Sequence, residues 1–258
     1  MSVFIIAEAG VNHNGHLSEA MELALAAKQA GADAVKFQHF NSQRLWGDER
    51  IRHLELTDAE MGVLARHCAE IGIEFMATPF GVEEVAVLLP LVKRWKIASG
   101  CLEKWALLDA IKATDMPIIL STGMADRARI FEAVDRLGMP LYHLTLLQCT
   151  SAYPCRVEDA NLAAMDRLKE WYPVPVGFSD HTPGITVAIA AAARGATVLE
   201  KHLTLDRNAE GPDHKASIEP REFRIMVDAA RTIGAALGDG VKRARACEEP
   251  VRRQWYGD

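Results

Sequence analysis

The chain of 258 residues has no uninterrupted apolar stretch of about 18 residues, the length that a membrane-spanning helix needs. No basic segment precedes its first apolar run at residues 3–7. The sequence therefore predicts neither a membrane-spanning helix nor a secretory signal. We expect no membrane partner and no export. The predicted location is the cytoplasm.

Cysteine is sparse, and the spacing of the cysteines does not indicate a disulfide-bonded or zinc-binding protein. The five cysteines form an odd number and include no C-x-x-C pair: Cys68, Cys101, Cys149, Cys155 and Cys247. Neither a disulfide scaffold nor a zinc knuckle is predicted, and we expect a reducing compartment.

An excess of basic charge is also missing. The chain has 29 Lys and Arg against 35 Asp and Glu, a net charge of −6, and the basic residues are scattered. This distribution argues against nucleic acid as a partner. An anionic substrate must then be bound by a few local charges.

What the sequence does contain is a regular alternation of two patterns. Short runs rich in β-branched and apolar residues recur about every 28 residues, and we interpret them as strands at 3–7, 34–37, 73–77, 94–98, 117–120, 143–148, 174–178 and 197–201. Amphipathic helical patterns lie between and after them, at 17–30, 58–71, 82–91, 104–113, 127–137, 160–171, 184–194 and 220–237.

Strict alternation of strands and helices is typical of parallel strands joined by crossover helices. Eight such units that close on themselves form a (β/α)8 TIM barrel, which is the predicted α/β fold; an open, doubly wound sheet is the alternative. Residues 1–241 are predicted to form this barrel. The charged segment 242–258 is predicted to be a short C-terminal extension rather than a domain.

Polar side chains lie at or just after the end of every predicted strand. In a TIM barrel these ends build the active site, and here they carry Glu8, Lys36 and Gln38, Thr78, Lys96 and Ser99, Ser121, Ser151 and Tyr153, Ser179 and His181, and Glu200 and His202. A simpler interpretation applies to each type alone. A strand-end Ser or Thr often caps the next helix, and a single His is often a hydrogen-bonded core residue.

Two lysines stand out because they lie in strands that should be buried. An unpaired buried ammonium costs several kcal/mol, so Lys36 and Lys96 need an anion or a carboxylate. One hypothesis is a salt bridge to Glu8 or Glu200, and the other is a cradle for a phosphate and a carboxylate on one small substrate. His181 and His202, on adjacent strand ends, are candidates for binding one divalent metal ion with coordination positions left open.

The ordered segments of this chain resemble the sialic acid synthase family over roughly residues 3–240. The family condenses phosphoenolpyruvate with an N-acetylated amino sugar to give nine-carbon 2-keto sugar acids and phosphate. The segments that carry the resemblance are AEAGVNHNG, GADAVKFQ, ATPF, WKIASG, PIILSTGM, LLQCTSAYP, GFSDHTPG and LEKHLTLDR followed by GPD.

The resemblance implies a homodimeric barrel enzyme with Mn²⁺ or Mg²⁺ held by His181 and His202. It implies that C3 of phosphoenolpyruvate attacks an open-chain aldehyde that the metal polarises, after which water adds at C2 and phosphate leaves by C–O cleavage. Sugar-contacting positions match Gln38, Tyr153 and Asp213. Phosphoenolpyruvate-binding positions match Lys36, Lys96, Ser99, Ser121, Ser151 and Ser179, to which we add Thr78 as a substrate-binding candidate.

The expected catalytic residues are Glu8, Lys96, Glu200 and the residue at position 101, where the sequence departs from the family. Members usually show Ser-Gly-Glu, whereas this chain has Ser99-Gly100-Cys101. A thiol is a poor substitute for a carboxylate base, so the substitution Cys101→Glu is expected to raise turnover. Glu103 lies two residues further on, where the same loop would direct it differently.

Two further departures concern the sugar side. The stretch 40–56 is shorter than expected, which predicts a more open mouth. Members commonly continue into a small antifreeze-like domain, and this sequence ends at Asp258; a separate chain would then supply that part, or the sugar site differs. Ser151, where sialic acid synthases often have Asn, is similar to the legionaminic and pseudaminic acid branches.

Two rival functions remain open. One is a phosphoenolpyruvate aldol synthase of the heptulosonate or octulosonate type, whose phosphorylated acceptor needs additional cations, with Arg44 and Arg207 as the candidates. The other is a ligand-binding subunit that keeps the phosphoenolpyruvate and metal sites but has lost turnover with the carboxylate at position 101.

Overall fold

The computed structural model describes residues 3–47, 49–138, 140 and 143–257. Residues 1 and 2, at the start of the predicted barrel 1–241, and residue 258, at the end of the predicted extension 242–258, lie outside the described residues. Within these ranges strands and helices alternate as predicted, and the strands pair in parallel.

All eight predicted strands are present and form one sheet. They are β1 (Phe4–Gly10), β2 (Ala34–His39), β3 (Glu74–Pro79), β4 (Trp95–Ile97), β5 (Ile118–Ser121), β6 (Leu144–Cys149), β7 (Val176–Asp180) and β8 (Val198–His202). The hydrogen-bonded order is β3-β2-β1-β8-β7-β6-β5-β4, and β3 and β4 lie side by side. The sheet therefore nearly closes into a barrel, which confirms the TIM-barrel prediction and excludes the open sheet.

Helices surround the barrel, and two of them were not predicted. The helices are α1 (Leu17–Gln29), α2 (Ser42–Trp46), α3 (Asp58–Ile71), α4 (Val82–Leu88), α5 (Trp105–Lys112), α6 (Arg127–Leu137), α7 (Ala164–Trp171), α8 (Thr186–Ala193), α9 (Pro220–Ala236) and α10 (Glu249–Tyr256). The unpredicted helices are α2, after β2, and α10, an exposed helix in the segment that was predicted to be a C-terminal extension. None of the helices in the described ranges has the length and apolarity that crossing a bilayer requires.

The interior of the barrel is filled by side chains in layers. One apolar layer comes from six strands and is buried: Ile6, Ala34, Met76, Ile119, Leu147 and Val198. Gly177 of β7 leaves room for this layer, because a Cβ there would lie 2.4 Å from the Val198 carbonyl oxygen and 2.6 Å from Leu147 Cδ2.

A second layer lies one step closer to the C-terminal ends of the strands. Residues two apart on a strand face the same side, so the side chains above the apolar layer are Glu8, Lys36, Thr78, Ser121, Cys149 and Glu200. This layer is polar and buried. The packed apolar layer thus forms the floor beneath the polar side chains, and it keeps the barrel from being a pore.

Candidate active site

A cavity of about 240 Å³ opens at the C-terminal ends of the strands. All but two of the predicted site residues line it: Glu8, Lys36, Gln38, Thr78, Lys96, Ser99, Ser121, Tyr153, Ser179, His181, Glu200, His202 and Asp213. The exceptions are Cys101 and Ser151. The strand-end pattern therefore located one shared site from seven of the eight strands and the loops that follow them.

Two lysines and two glutamates form an inner array at the bottom of this cavity, made of Glu8, Lys36, Lys96 and Glu200. Lys36 Nζ lies 2.5 Å from Glu8 Oε2 and 3.9 Å from Glu200 Oε2. Lys96 Nζ lies 3.6 Å from Glu200 Oε1. The salt bridges considered as one explanation for the lysines thus exist, and they stand at the wall of a cavity rather than in closed packing.

Hydroxyl groups complete the inner array. Lys96 Nζ donates to Ser121 Oγ over 2.7 Å, Lys36 Nζ donates to Thr78 Oγ1 over 3.2 Å, and Ser179 Oγ donates to Glu200 Oε1 over 2.9 Å. Other residues occupy the N-cap positions of the helices that follow these strands, namely Gly81, Asp126 and Ile185. The capping interpretation is therefore wrong for Thr78, Ser121 and Ser179.

The two glutamates differ in protonation behaviour. Burial raises the pKa of Glu8 to about 7, against the opposing effect of Lys36. Burial alone would raise the pKa of Glu200 as well, but Lys36 and Lys96 outweigh it and hold this pKa at about 2. At neutral pH the array therefore contains a fixed carboxylate and a second carboxyl group that exchanges its proton readily.

The imidazole rings of His181 and His202 lie at the rim of the cavity, and their surroundings determine their protonation. His181 Nδ1 lies 2.7 Å from the Thr150 carbonyl oxygen, which can only accept, so Nδ1 carries the proton and Nε2 keeps its lone pair. Burial lowers the pKa of His181 to about 4, and the neighbouring His202 adds to this effect. Burial also lowers the pKa of His202, although Asp213 opposes it. Both rings are therefore neutral at pH 7.

These rings fit a metal ion with open positions. Their centroids are 5.4 Å apart, and His202 Nδ1 is buried without a hydrogen-bond partner. Neutral imidazole is the form that binds a divalent ion. Over the described ranges, no group of three or more His, Cys, Asp or Glu side chains is placed to hold a metal. The chain therefore offers two nitrogen ligands, and further ligands would come from water or substrate.

The predicted sugar-contacting residues lie above the array. Gln38 Nε2 donates to Glu8 Oε1 over 3.4 Å, and Asp213 Oδ2 lies 3.5 Å from His202 Nδ1. The Tyr153 ring packs 4.2 Å from the His181 ring and 5.6 Å from the His202 ring, centroid to centroid, and is half exposed. All three side chains thus border the space between the array and the solvent.

An apolar wall closes one side of the mouth, and sequence reasoning missed it. Its residues come from the loops after β1, β2 and β3, from α2 and from a 3-10 helix at Glu49–Leu54: Val11, Phe40, Leu45, Ile51, Leu54 and Phe80. The stretch 40–56, which we expected to leave the mouth more open, supplies most of this wall. Its short helices carry no recognisable periodicity, so no sequence signal could have revealed it.

A second cluster lies beside the array, around Gly123. Ser99 Oγ accepts a hydrogen bond from the Gly123 amide over 2.9 Å and lies 3.1 Å from Cys149 Sγ. A Cβ at position 123 would lie 2.3 Å from Ser151 Oγ, so only glycine fits. Ser151 is thus close to Ser99 but outside the cavity. Cys149 lines the cavity and was not predicted, although its place two residues after the inward-facing Leu147 indicates it.

The structure does not bring Cys101 to the site. It ends a 3-10 turn, Ser99–Cys101, and its side chain is fully buried in the hydrophobic core. The turn directs Ser99 into the cavity and Cys101 away from it. Burial also raises the pKa of the Cys101 thiol. Glu103 pairs with Arg129 at 2.9 Å on the surface, so neither residue is placed to act on a ligand in the cavity.

The two arginines considered for a phosphorylated acceptor also lie elsewhere. Arg44 pairs with Glu84, and Arg207 pairs with Glu222. Neither lines the cavity, whose cationic side chains, among the described residues, are Lys36 and Lys96.

Comparison with known proteins finds similar sequences. The model of the NeuB family matches residues 23–242. An N,N'-diacetyllegionaminic acid synthase from Legionella pneumophila is 41% identical over 278 residues, covering 98% of this chain and 78% of that protein. The human N-acetylneuraminate-9-phosphate synthase is 37% identical over 268 residues, covering 95% of this chain and 74% of that protein.

A solved structure extends the similarity to the whole fold. The N-acetylneuraminic acid (sialic acid) synthetase from Leptospira borgpetersenii, in complex with citrate, is similar with a TM-score of 0.91 and 36% identity. The match covers 99% of this chain and 93% of that chain.

Proposed function

The chain belongs to the NeuB family, and we propose that it condenses phosphoenolpyruvate with an N-acetylated amino sugar. The products are a nine-carbon 2-keto sugar acid and phosphate. The observation that carries this proposal is the inner array: two buried ammonium groups at the base of a cavity, each within hydrogen-bond distance of a hydroxyl group. A small ligand with two anionic groups matches this arrangement better than any neutral ligand.

The lysines have separate tasks in this reaction. Lys96, whose partner Ser121 is also at the base, binds one anionic group of phosphoenolpyruvate, and Lys36 binds the other. Their charge stabilises the negative charge that shifts toward the phosphate when the C–O bond breaks. Because these ammonium groups are held by β2 and β4, they need little rearrangement during the reaction.

Two histidines would hold the divalent ion that the family resemblance implies, Mn²⁺ or Mg²⁺. When bound there, the ion supplies Lewis-acid polarisation of the acceptor aldehyde. His181 and His202 meet this role as neutral rings at the rim, beneath Tyr153.

Glu8 is the group we assign to proton exchange with the water that adds at C2. Position 101 holds a buried thiol, whereas the Glu8 carboxyl lines the cavity with a pKa of about 7. A pKa close to the working pH suits a general base. Glu200, which stays ionised, instead orients Ser179 and balances the lysines.

The acceptor is an unphosphorylated sugar in this proposal. The apolar wall faces its distal end, where acyl methyl groups would be buried and a phosphate dianion would lose its hydration without a cationic partner. Arg44 and Arg207 are held by carboxylates outside the cavity. This arrangement favours an N-acetylated acceptor over the sugar phosphates of heptulosonate-type synthases.

The test is phosphate release from phosphoenolpyruvate in the presence of manganese and a series of N-acetylated hexosamines. We expect release with at least one unphosphorylated acceptor, together with a product whose mass equals the sum of the two substrates plus water minus phosphoric acid. Release only with sugar phosphates would contradict the acceptor assignment. Thermal stabilisation by phosphoenolpyruvate and manganese without release from any sugar would instead support the ligand-binding subunit.

We further propose a cytoplasmic homodimer. Phosphoenolpyruvate is an intracellular metabolite, and the sequence predicts reduced cysteines. Sedimentation of the purified chain tests the dimer.

A further inference from the structure

A second buried ion pair lies on the outer side of the barrel wall, behind the imidazoles. Lys201 Nζ lies 2.9 Å from Asp180 Oδ2, and both side chains are 0% exposed. The two residues are register partners on β7 and β8. Because side chains alternate along a strand, this outer pair faces the helices, while the neighbouring residues face the cavity: Ser179, His181, Glu200 and His202.

The outer pair encloses His181 along the chain. Asp180 Oδ1, one residue before His181, accepts hydrogen bonds from the Thr182 amide over 2.9 Å and from Thr182 Oγ1 over 2.8 Å. Lys201 Nζ also donates to the Thr182 carbonyl, one residue after His181. One ammonium group on β8 therefore fixes the residues on both sides of the imidazole.

The hydrogen bonds of Asp180 and Lys201 to Thr182, which we call the bracket, lie where the chain leaves β7. The Asp180 carboxylate closes a tight turn over Thr182, and a further hydrogen bond of 2.8 Å joins the His181 carbonyl to the Cys155 amide. With the backbone held, the His181 ring can keep the Nδ1 contact to the Thr150 carbonyl, which leaves Nε2 unprotonated.

Stability alone gives a weak reason for this arrangement. Replacing a buried ion pair by apolar residues is often neutral or stabilising, because two charges lose their hydration. The outer pair is nevertheless fully buried on the two strands that carry both imidazoles. We propose that Lys201 and Asp180 are positioning residues, which act through Thr182 to hold the His181 ring in its ligand-binding orientation.

The test uses the double substitution Asp180→Asn with Lys201→Met, which removes both charges and leaves no unpaired ion. Asn retains an oxygen that can accept from Thr182, so only the connection to β8 is lost. In the metal-free wild type we expect a nuclear magnetic resonance signal from the His181 Nδ1–H, because this group is hydrogen-bonded to the Thr150 carbonyl. In the metal-free double variant this signal should broaden or disappear. The dissociation constant for Mn²⁺ should rise about tenfold or more, as outer-shell substitutions commonly produce.

A matched control removes an ion pair at the opposite end of the barrel. Arg94 Nε donates to Glu74 Oε1 over 2.7 Å, between the starts of β3 and β4. The double substitution Glu74→Gln with Arg94→Met should leave the His181 signal and manganese affinity unchanged. A general loosening of the fold would alter both variants alike.

The metal measurement rests on the proposed function, but the signal of the metal-free ring does not. An unchanged His181 signal together with manganese affinity within about twofold of the wild type would overturn the positioning role. A wild type that binds no manganese, with the His181 signal still lost in the variant, would contradict the metal assignment and support the positioning role. If the double variant does not fold, Thr182→Val removes one hydrogen bond of the bracket, and an unchanged His181 signal there would overturn the proposal as well.

Discussion

The inner array and the outer pair each contribute one residue to β8, Glu200 and Lys201, and these neighbours differ in their hydrogen bonding. Glu200 faces the cavity, and its Oε2 is buried without a hydrogen bond, at 3.9 Å from Lys36 Nζ. Lys201 faces the helices, and its ammonium is bound by Asp180 and the Thr182 carbonyl. Burial alone therefore does not identify a functional charge. A buried polar atom without a hydrogen bond beside a cavity indicates ligand binding, whereas a buried charge with protein partners away from the cavity indicates structural support.

The largest effect should come from breaking the outer pair on one side only. Lys201→Met leaves the Asp180 carboxylate buried at 0% exposure without its ammonium partner. Removing one partner of a buried pair costs about 3–5 kcal/mol. We expect the free energy of unfolding, measured in urea, to fall by this amount, while phosphoenolpyruvate still raises the melting temperature. Wild-type stability in this variant would contradict the supporting role of the pair.

A substitution in the inner array should lower activity strongly and stability less. Lys96→Met removes a charge that is proposed to bind substrate, so kcat/KM should fall about 100- to 1,000-fold, or about 3–4 kcal/mol. The stability of the ligand-free protein should fall less than in Lys201→Met, because Glu200 keeps Lys36 at 3.9 Å when Lys96 is removed. Steady-state phosphate release checks the first statement, and differential scanning fluorimetry with and without phosphoenolpyruvate checks the second. A ligand-induced shift equal to that of the wild type would show that Lys96 does not contact the ligand.

A buried residue outside both arrangements should contribute to the loss of stability in acid. His13 is fully buried, its Nδ1 accepts from the Gly15 amide over 3.1 Å, and burial lowers its pKa to about 4. In the unfolded chain its pKa is about 6.5. Between these values the unfolded state binds the additional proton, so stability decreases as the pH falls from about 6.5 to 4, by up to about 3 kcal/mol.

Comparison with His13→Asn isolates this contribution, because the Asn oxygen can still accept from the Gly15 amide. The difference in unfolding free energy between wild type and variant should shrink as the pH falls across that range and be constant above pH 7. A difference that is independent of pH would contradict the assignment, and it would point to the other buried histidines.

The sequence predicted where the strands lie better than where they end. β1 was expected to stop at residue 7 and continues to Gly10, and β7 was expected to stop at residue 178 and continues to Asp180. Polar residues such as Glu8 and Ser179 suggested the end of a strand. In a closed barrel, neighbouring strands provide partners for such side chains, so the strand continues through them.

Site residues were predictable where strand alternation determines their direction, and they were not where a loop does. Lys36 and Lys96 face the cavity because inward positions repeat every two residues. Cys101 follows a 3-10 turn, whose direction cannot be derived from the sequence, and the turn places its side chain in the core. The apolar wall depends on how two short helices fold back on the barrel, a tertiary effect without a local signal.

The smallest effect is expected at the position where the sequence suggested a large one. Cys101→Ala should change kcat/KM by less than about twofold and cost about 1–2 kcal/mol of stability from the lost packing. Cys149→Ala is the matched comparison, because Cys149 Sγ lines the cavity and lies 3.1 Å from Ser99 Oγ. This substitution should weaken phosphoenolpyruvate binding.

Cys101→Glu, expected from the sequence to raise turnover, would place a carboxylate in the core and should destabilise the fold instead. Single-turnover phosphate release and urea unfolding of the three variants decide the matter. Faster release by Cys101→Glu would mean that the turn at Ser99–Cys101 reorients and that position 101 reaches the cavity after all.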